Sequence, residues 1–304
     1  MSSSTSPHPQ SFPFYVVAAF SAGPFQGNPA AVLFIDDAHV EADVLRKIAV
    51  NFNQPILSVV GARRECDDPT TAAFDICWFT ASPTGDGPAV CGHGSMAAAR
   101  AIFERGIVPE SVETIEFRTQ TAGTVQARRV GKYGVEIQIT GGMLTDLPAD
   151  AKPKVAAAIF AAFGREVGIK YLGVGSERYG AYLVVELDES EELEKCLVET
   201  AALLDTGYQV NVITTPASGD RGLFVSRMFA PATLPAPYSE DAVCGSAHCL
   251  LVPYWSLKKG LAVNQPFRAT QVSSRGGVLD LFWDGAAVGL KGETFVISKG
   301  NVYL

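Results

Sequence analysis

Cys91-Gly92-His93-Gly94-Ser95 and Cys244-Gly245-Ser246-Ala247-His248 are two versions of one short string, one in each half of the chain. Each opens a run that reads as a buried helix. After the first, residues 95–104 are rich in alanine, take bulk from Met96, Ile102 and Phe103, and stop at Gly106. After the second, residues 246–259 continue helically, with Pro253 expected to kink or shorten the helix and Lys258-Lys259-Gly260 as its stop signal. A cysteine at a helix N-terminus lies where the helix dipole and free backbone N–H groups stabilise a thiolate. A facing pair of such thiols can take a proton from one side of a carbon and return it on the other.

Outward from the first string, strands are expected at 14–20 and 30–35, joined as a hairpin through Gly27-Asn28-Pro29. A helix follows at 41–52, with Val44, Leu45, Ile48 and Phe52 on one face, then strands at 56–60 and 72–79. Beyond the string come strands at 114–118, 124–129 and 135–140. Gly141-Gly142 and the polar, proline-bearing stretch 145–153 read as a linker, so the domain boundary is placed there. The second half carries a helix at 154–163, strands at 181–186 and 210–214, a charged helix at 190–204 and a strand at 222–229. Strands at 267–272, 278–283 and 295–297 follow its thiol string. Each half therefore runs strands, thiol string, buried helix, strands, the order of an internal duplication. The Ser/Pro-rich residues 1–10 read as disordered.

At 304 residues, with 47% hydrophobic and 18% charged side chains, the chain can bury cores for two domains of ordinary size. Its apolar stretches are interrupted well before the roughly 18 residues of a membrane span, and residues 1–14 lack the basic start and apolar run of a secretory signal. The reading is a cytoplasmic protein without membrane contact. A net charge of −8 and the absence of a Lys/Arg block give no electrostatic basis for binding nucleic acid, which leaves small molecules as partners. The six cysteines include no Cys-x-x-Cys pair, so neither a disulfide scaffold nor a metal site is expected. Cys66, Cys77, Cys196 and Cys249 read as packing residues.

Several motifs, taken in order, carry a resemblance to a known family: Phe25-x-Gly27-Asn28-Pro29-Ala30-Ala31-Val32, Trp78-Phe79-Thr80, the Cys91 string and Met228-Phe229-Ala230-Pro231. The stretch Ser239-Glu240-Asp241-Ala242-Val243 ahead of the Cys244 string, and Ser274-Arg275-Gly276-Gly277, complete the set. Together they span nearly the whole chain, which resembles the phenazine-biosynthesis isomerase-like family with its diaminopimelate epimerase-like fold. That resemblance implies an α+β architecture of two pseudosymmetric domains, each a curled, mostly antiparallel sheet around a central helix, with the active site in the cleft between them. The domains would be 1–142 and 143–290, with 291–304 returning to the first. It also implies a homodimer that needs no metal or organic cofactor.

The sequence departs from the family pattern at informative places. Where phenazine-type isomerases carry a proton-shuttling glutamate, this chain has Ile56, whose aliphatic side chain cannot titrate. A second acidic position falls on Gly87, next to Asp86, and the usual threonine of the second string is Cys244. Cysteine at both places is similar to the racemase and epimerase relatives. By that resemblance Cys91 and Cys244 exchange acid and base roles at an α-carbon about 3–3.5 Å from each sulfur. Amides at Gly92, His93, Gly245 and Ser246 would bind a substrate carboxylate and stabilise the enediolate-like charge. His93 and Asp241 join the thiols as candidate catalytic residues. Asn28, Gly92, Gly94, Ser95, Gly245 and Ser246 are candidate substrate-binding residues, although cap and turn chemistry explains the same residue types.

The expected function is a cofactor-independent racemase or epimerase acting on a small carboxylated, amino- or imino-acid-like metabolite. The alternatives are a proton-shift isomerase or dehydratase on a specialised metabolite, and a ligand-binding protein that has lost catalysis.

Overall fold

The computed structural model describes residues 10–21, 23–36, 38–81, 87–120, 123–234 and 239–304. Residues 1–9 of the stretch read as disordered lie outside these, as does Asp86. In chain order the elements begin β1 (Ser11–Ala19), β2 (Asn28–Asp36), α1 (Ala42–Phe52), β3 (Leu57–Arg64), β4 (Thr71–Phe79), α2 (Gly92–Arg105), β5 (Thr114–Arg118) and β6 (Thr124–Val130). They continue with β7 (Gly134–Thr140), β8 (Leu144–Asp146), α3 (Lys152–Phe163), β9 (Ile169–Gly175), β10 (Tyr182–Leu187), β11 (Val210–Pro216) and β12 (Phe224–Phe229). The last are β13 (Glu240–Asp241), α4 (Gly245–Lys259), β14 (Phe267–Gln271), β15 (Gly277–Trp283) and β16 (Ala287–Tyr303).

The chain gathers into two units. The first takes the chain up to Ala19, Pro29–Tyr133 and Thr294–Leu304, and the second takes Phe20–Asn28 and Gly134–Glu293. The main division thus falls at 133/134 rather than 142/143, because β7 pairs along residues 287–293 of β16 within the second unit. The expected hairpin is also modified. Strands β1 and β2 are neighbours, but the stretch between them belongs to the second unit.

In the first unit β2 and β3 are parallel, β3 and β4 antiparallel, β4 and β5 parallel, and β5 and β6 antiparallel. A parallel pair needs a crossover, and α1 and α2 supply the two. Alternation along β3 sorts its side chains by face. Leu57 and Val59 pack with Leu45, Ile48 and Ala49 of α1, whereas the Ser58 hydroxyl donates to the Gly94 carbonyl of α2. Met96, Ala97, Ala98, Ala99, Ala101 and Ile102 of α2 are all fully buried, so the middle of this helix is core, while Glu104 in its last turn is exposed. On its other edge, β1 pairs antiparallel with residues 294–303 of β16.

The second unit repeats the alternation. Strands β10 and β11 are parallel, β11 and β12 antiparallel, β12 and β14 parallel, and β14 and β15 antiparallel, with α4 as the crossover from β12 to β14. Antiparallel pairing prevails overall, but each unit is a mixed sheet. Where α1 joins β2 to β3, the link from β10 to β11 is only short 3-10 turns at Leu193–Lys195 and Thr200–Thr206. The expected charged helix at 190–204 does not form. Leu193 and Leu203 are buried while Leu197 is 91% exposed, so the segment offers no continuous apolar stripe for a helix to bury. Its Cys196 carbonyl instead accepts from Arg227 Nη1 at 2.6 Å. Helix α3 supplies Val155, Ile159 and Ala162 to a core with Leu183, Val185 and Ile213. Sequence reading also missed β9, which pairs antiparallel with β10, and β8 within the supposed linker.

Pro253 does not shorten α4, which runs on to Lys259. Lacking an N–H, the proline leaves the carbonyl of Cys249 without its helical donor, and the Gly142 N–H fills that place at 3.0 Å. Gly142 is therefore a packing position rather than a flexible link: a Cβ there would collide with the Tyr179 ring and approach Leu250 to 2.8 Å. Among the described residues no helix is long and apolar enough to cross a membrane.

Candidate active site

Both central helices start one residue after a cysteine, and in both the cysteine is the N-cap. Cys91 caps α2 with φ −127° and ψ 109°, and Cys244 caps α4 with φ −104° and ψ 106°. Extended backbone at this position turns the first amides of each helix outward, where helix geometry leaves them without intrahelical acceptors. Each string thus joins a thiol to the opening amides of a helix. The helices began three residues and one residue earlier than their alanine and apolar content suggested, because glycine at 92, 94 and 245 weakens the signal.

Around Cys91, the His93 Nδ1 lies 3.6 Å from Sγ. The Ser95 amide and hydroxyl both donate to the Cys91 carbonyl, at 2.9 and 2.8 Å. Gly94 is buried against β3 and β4, where a Cβ would stand 2.8 Å from Trp78 Nε1 and 2.9 Å from Ser58 Oγ. Gly94 and Ser95 are therefore engaged within the unit, and among the string's residues only Gly92 and His93 are partly exposed. Ile56 is buried at the entry to β3, and its carbonyl accepts from the Ala31 amide. Gly87 has no room for an acid: a Cβ would run into the Trp78 carbonyl at the end of β4.

Around Cys244, Ser246 Oγ lies 3.2 Å from Sγ, and the Ala247 amide donates to Sγ at 3.4 Å. Ser246 Oγ is also 2.8 Å from Tyr182 Oη, a side chain of β10. His248 donates through Nδ1 to the Cys244 carbonyl at 2.7 Å and stacks on Phe224. Burial, reinforced by the nearby Asp241 carboxylate, pushes the Cys244 thiol well above its ordinary range. Burial moves His248 the other way, down to about 4 against the opposing effect of its hydrogen bond to the Cys244 carbonyl, so it is a neutral imidazole. Burial also pushes two other thiols up to about 11, fully buried Cys249 and half-buried Cys77; of the cysteines read as packing residues, Cys196 is half-buried and Cys66 is exposed.

The loop before Cys244 is fixed from several directions. Gln271 Oε1 accepts from the Cys244 amide at 2.9 Å while its Nε2 donates to the Asp241 carbonyl at 2.7 Å. Asn28 is fully buried and donates through Nδ2 to Asp241 Oδ1 at 2.6 Å and to the Val243 carbonyl at 2.9 Å. Two acceptors on one nitrogen settle the orientation of that amide, and its Oδ1 has no hydrogen-bond partner among the described residues. Arg275 holds the turn that presents Asn28, donating to the carbonyls of Gly27 and Gln26 at 2.9 and 3.1 Å. Gly277 must lack a side chain here, since a Cβ would strike Val243 and come within 2.8 Å of the Phe20 carbonyl. Arg227 makes a two-point contact with Glu240 at 2.7 and 2.9 Å, next to Asp241.

Cys244, Ser246, Gly245, Asp241 and Asn28 are thus brought together in the second unit, and Cys91, Gly92 and His93 in the first. Sequence reasoning missed Tyr182, Gln271 and Arg227, which approach the Cys244 loop from distant strands and carry no local motif. Among the described residues no group of three or more His, Cys, Asp or Glu side chains is placed to hold a metal ion.

Residues 17–300 match the profile of the family described as phenazine biosynthesis-like protein. An uncharacterised isomerase of Pseudomonas aeruginosa is 31% identical over 292 residues, covering 96% of this chain and 98% of that protein. Phenazine biosynthesis-like domain-containing protein 2 of Mus musculus is 32% identical over 306 residues, covering 95% and 98%. A phenazine biosynthesis protein of this type from Enterococcus faecalis superposes with a TM-score of 0.80 at 28% identity, over 97% of this chain and all of that one. A hydroxyproline epimerase from Agrobacterium vitis shares the fold, with a TM-score of 0.58 at 14% identity over 98% of this chain and 92% of its own.

Proposed function

The chain belongs to the phenazine biosynthesis-like protein family, and from that premise we propose that it is a cofactor-independent racemase or epimerase of a small carboxylated metabolite. The observation that carries the reading is the matched pair of N-cap thiols, Cys91 and Cys244. Each has a hydrogen-bonding side chain two positions on that touches its own sulfur. Relatives named as isomerases and the epimerase fold agree with it.

In one direction the Cys91 thiolate takes the α-proton, forming its S–H bond while the C–H electron pair moves into the carboxylate as an enediolate. Cys244, held as a thiol by burial, delivers its proton to the other face, and the carbon–hydrogen bond reforms with inverted configuration. The reverse direction exchanges the two roles. The amides of Gly92, His93, Gly245 and Ser246 face the negative charge as it develops on the carboxylate. His93 stands ready to exchange a proton with Cys91. Asn28 Oδ1, buried and open, and the Asp241 carboxylate beside it suit a substrate N–H, which favours an amino- or imino-acid-like compound.

Incubation with amino and imino acids in deuterated water tests the reading. The parent protein should wash deuterium into the α-position of its substrate. Cys91→Ala and Cys244→Ala should each lose on the order of a thousandfold or more of turnover, since each removes an obligatory proton carrier. Full activity in both variants would end the two-thiol reading.

A further inference from the structure

We infer that Tyr182 is a positioning residue for the Cys244 thiol, acting through the Ser246 hydroxyl. Ser246 Oγ stands between Cys244 Sγ at 3.2 Å and Tyr182 Oη at 2.8 Å. A serine hydroxyl carries a single hydrogen. When Cys244 is a thiolate its sulfur can only accept, so that hydrogen must point at sulfur, and Ser246 Oγ is left with lone pairs facing Tyr182. The phenol then has to donate. The order Tyr182 O–H to Ser246 and Ser246 O–H to sulfur is forced by counting hydrogens, and the Ala247 N–H adds a second donor from the helix.

The tyrosine is well placed to hold that order. It projects from β10 and meets the edge of Tyr179, with ring centroids 5.6 Å apart and planes at 79°. The Tyr179 hydroxyl is tied to the Thr140 carbonyl at 2.8 Å, so the pair is braced against β7. Burial keeps the Tyr182 phenol protonated. The titratable groups around the sulfur are Asp241 from β13, Tyr182 from β10, and His248 and Cys249 from α4. Asp241 disfavours the thiolate, and His248 is neutral. The hydroxyl pair, together with the Ala247 N–H, works against burial and Asp241 when Cys244 must carry charge. At Cys91 the matching position holds His93, whose imidazole nitrogen lies 3.6 Å from the sulfur, whereas a serine hydroxyl takes its direction from what its oxygen accepts.

The inference rests on the proposed function only for its consequence in turnover, and thiol chemistry tests it without a substrate. Alkylation by iodoacetamide at about pH 8.5 follows the thiolate fraction, and mass spectrometry of the labelled peptides reads Cys244 and Cys91 in the same molecules. Tyr182→Phe should slow Cys244 relative to Cys91 by about threefold to tenfold, the weight of one oriented hydrogen bond. Ser246→Ala should slow it at least as much, and the double variant no further. Replacing Tyr182 by 3-fluorotyrosine, a stronger donor of the same shape, should speed Cys244 instead, which a loss of packing would not do. A Cys244 to Cys91 ratio within about twofold of the parent in Tyr182→Phe would overturn the inference, as would losses that multiply in the double variant. Full turnover in Cys244→Ala would remove the catalytic reading yet leave these rates standing.

Discussion

The two strings use histidine and serine in exchanged positions, and position, not residue type, sets the job. Two residues after the cap, His93 and Ser246 touch their own sulfurs; four residues after it, Ser95 and His248 bind their own cap carbonyls. His248 pays for this service in pH dependence. Burial lowers its folded pKa to about 4 from an ordinary 6.5, so below 6.5 the unfolded chain binds a proton that the folded one refuses. The associated stability is complete above about pH 6.5 and is lost as pH falls toward 4, by on the order of 3 kcal/mol. His248→Gln keeps a donor for the Cys244 carbonyl but does not titrate. Urea unfolding at pH 7, 6 and 5 should show the parent losing stability more steeply than this variant, and parallel losses would contradict a buried neutral imidazole. Gly87 makes a second case. Gly87→Asp would restore the family's acid, but its Cβ meets the Trp78 carbonyl, which belongs to a paired strand and cannot retreat. Thermal unfolding should show a loss of more than about 2 kcal/mol, and an unchanged melting temperature would refute the clash.

At the scale of elements, α4 depends on a residue far outside it. The carbonyl that Pro253 leaves open is closed by Gly142, and Gly142 is also the floor on which Tyr179 lies. Gly142→Ala should therefore cost about 1–3 kcal/mol through overpacking and disturb the Tyr179–Tyr182 pair along with it. A melting temperature within about 1 °C of the parent would show that the ring moves aside freely. The same coupling explains what could be read from sequence and what could not. The thiols, the two buried helices and most strands were legible, because alanine content, alternation and the Cys-Gly strings are local signals. Gly141-Gly142 looked like a linker since a glycine filling a proline's gap cannot be told from a flexible one. The segment at 190–204 had helical charge but no single apolar stripe, and only the burial of Leu193 and Leu203 reveals this. Tyr182 lies 64 residues from Ser246, and Gln271 lies 27 from Cys244, so neither contact leaves a periodic trace.

At the scale of the molecule, each unit is completed by chain from a distant part of the sequence. The second unit takes Phe20–Asn28, clasped where the Gly27 amide donates to the Gly276 carbonyl at 2.7 Å, and so acquires Asn28 for the Cys244 loop. The first takes residues 294–303, which pair with the whole of β1 from Ser11 to Ala19. A chain ending at Glu293 tests how far this borrowing reaches. It would keep residues 287–293 between β7 and β15, so the second unit retains its pairing. Strand β1 would become an edge, with its amides and carbonyls on that side returned to water. At about 1 kcal/mol net per hydrogen bond, the loss is several kcal/mol, a large part of the 5–15 kcal/mol that holds a typical domain. Calorimetry of the truncated chain should show an early transition for the first unit followed by a later one for the second. Alkylation of Cys91, but not of Cys244, should accelerate across the first transition. A single transition at the parent temperature would mean that residues 294–303 contribute no stability to the unit that presents Cys91, and that β2 alone suffices to hold β1 over α2.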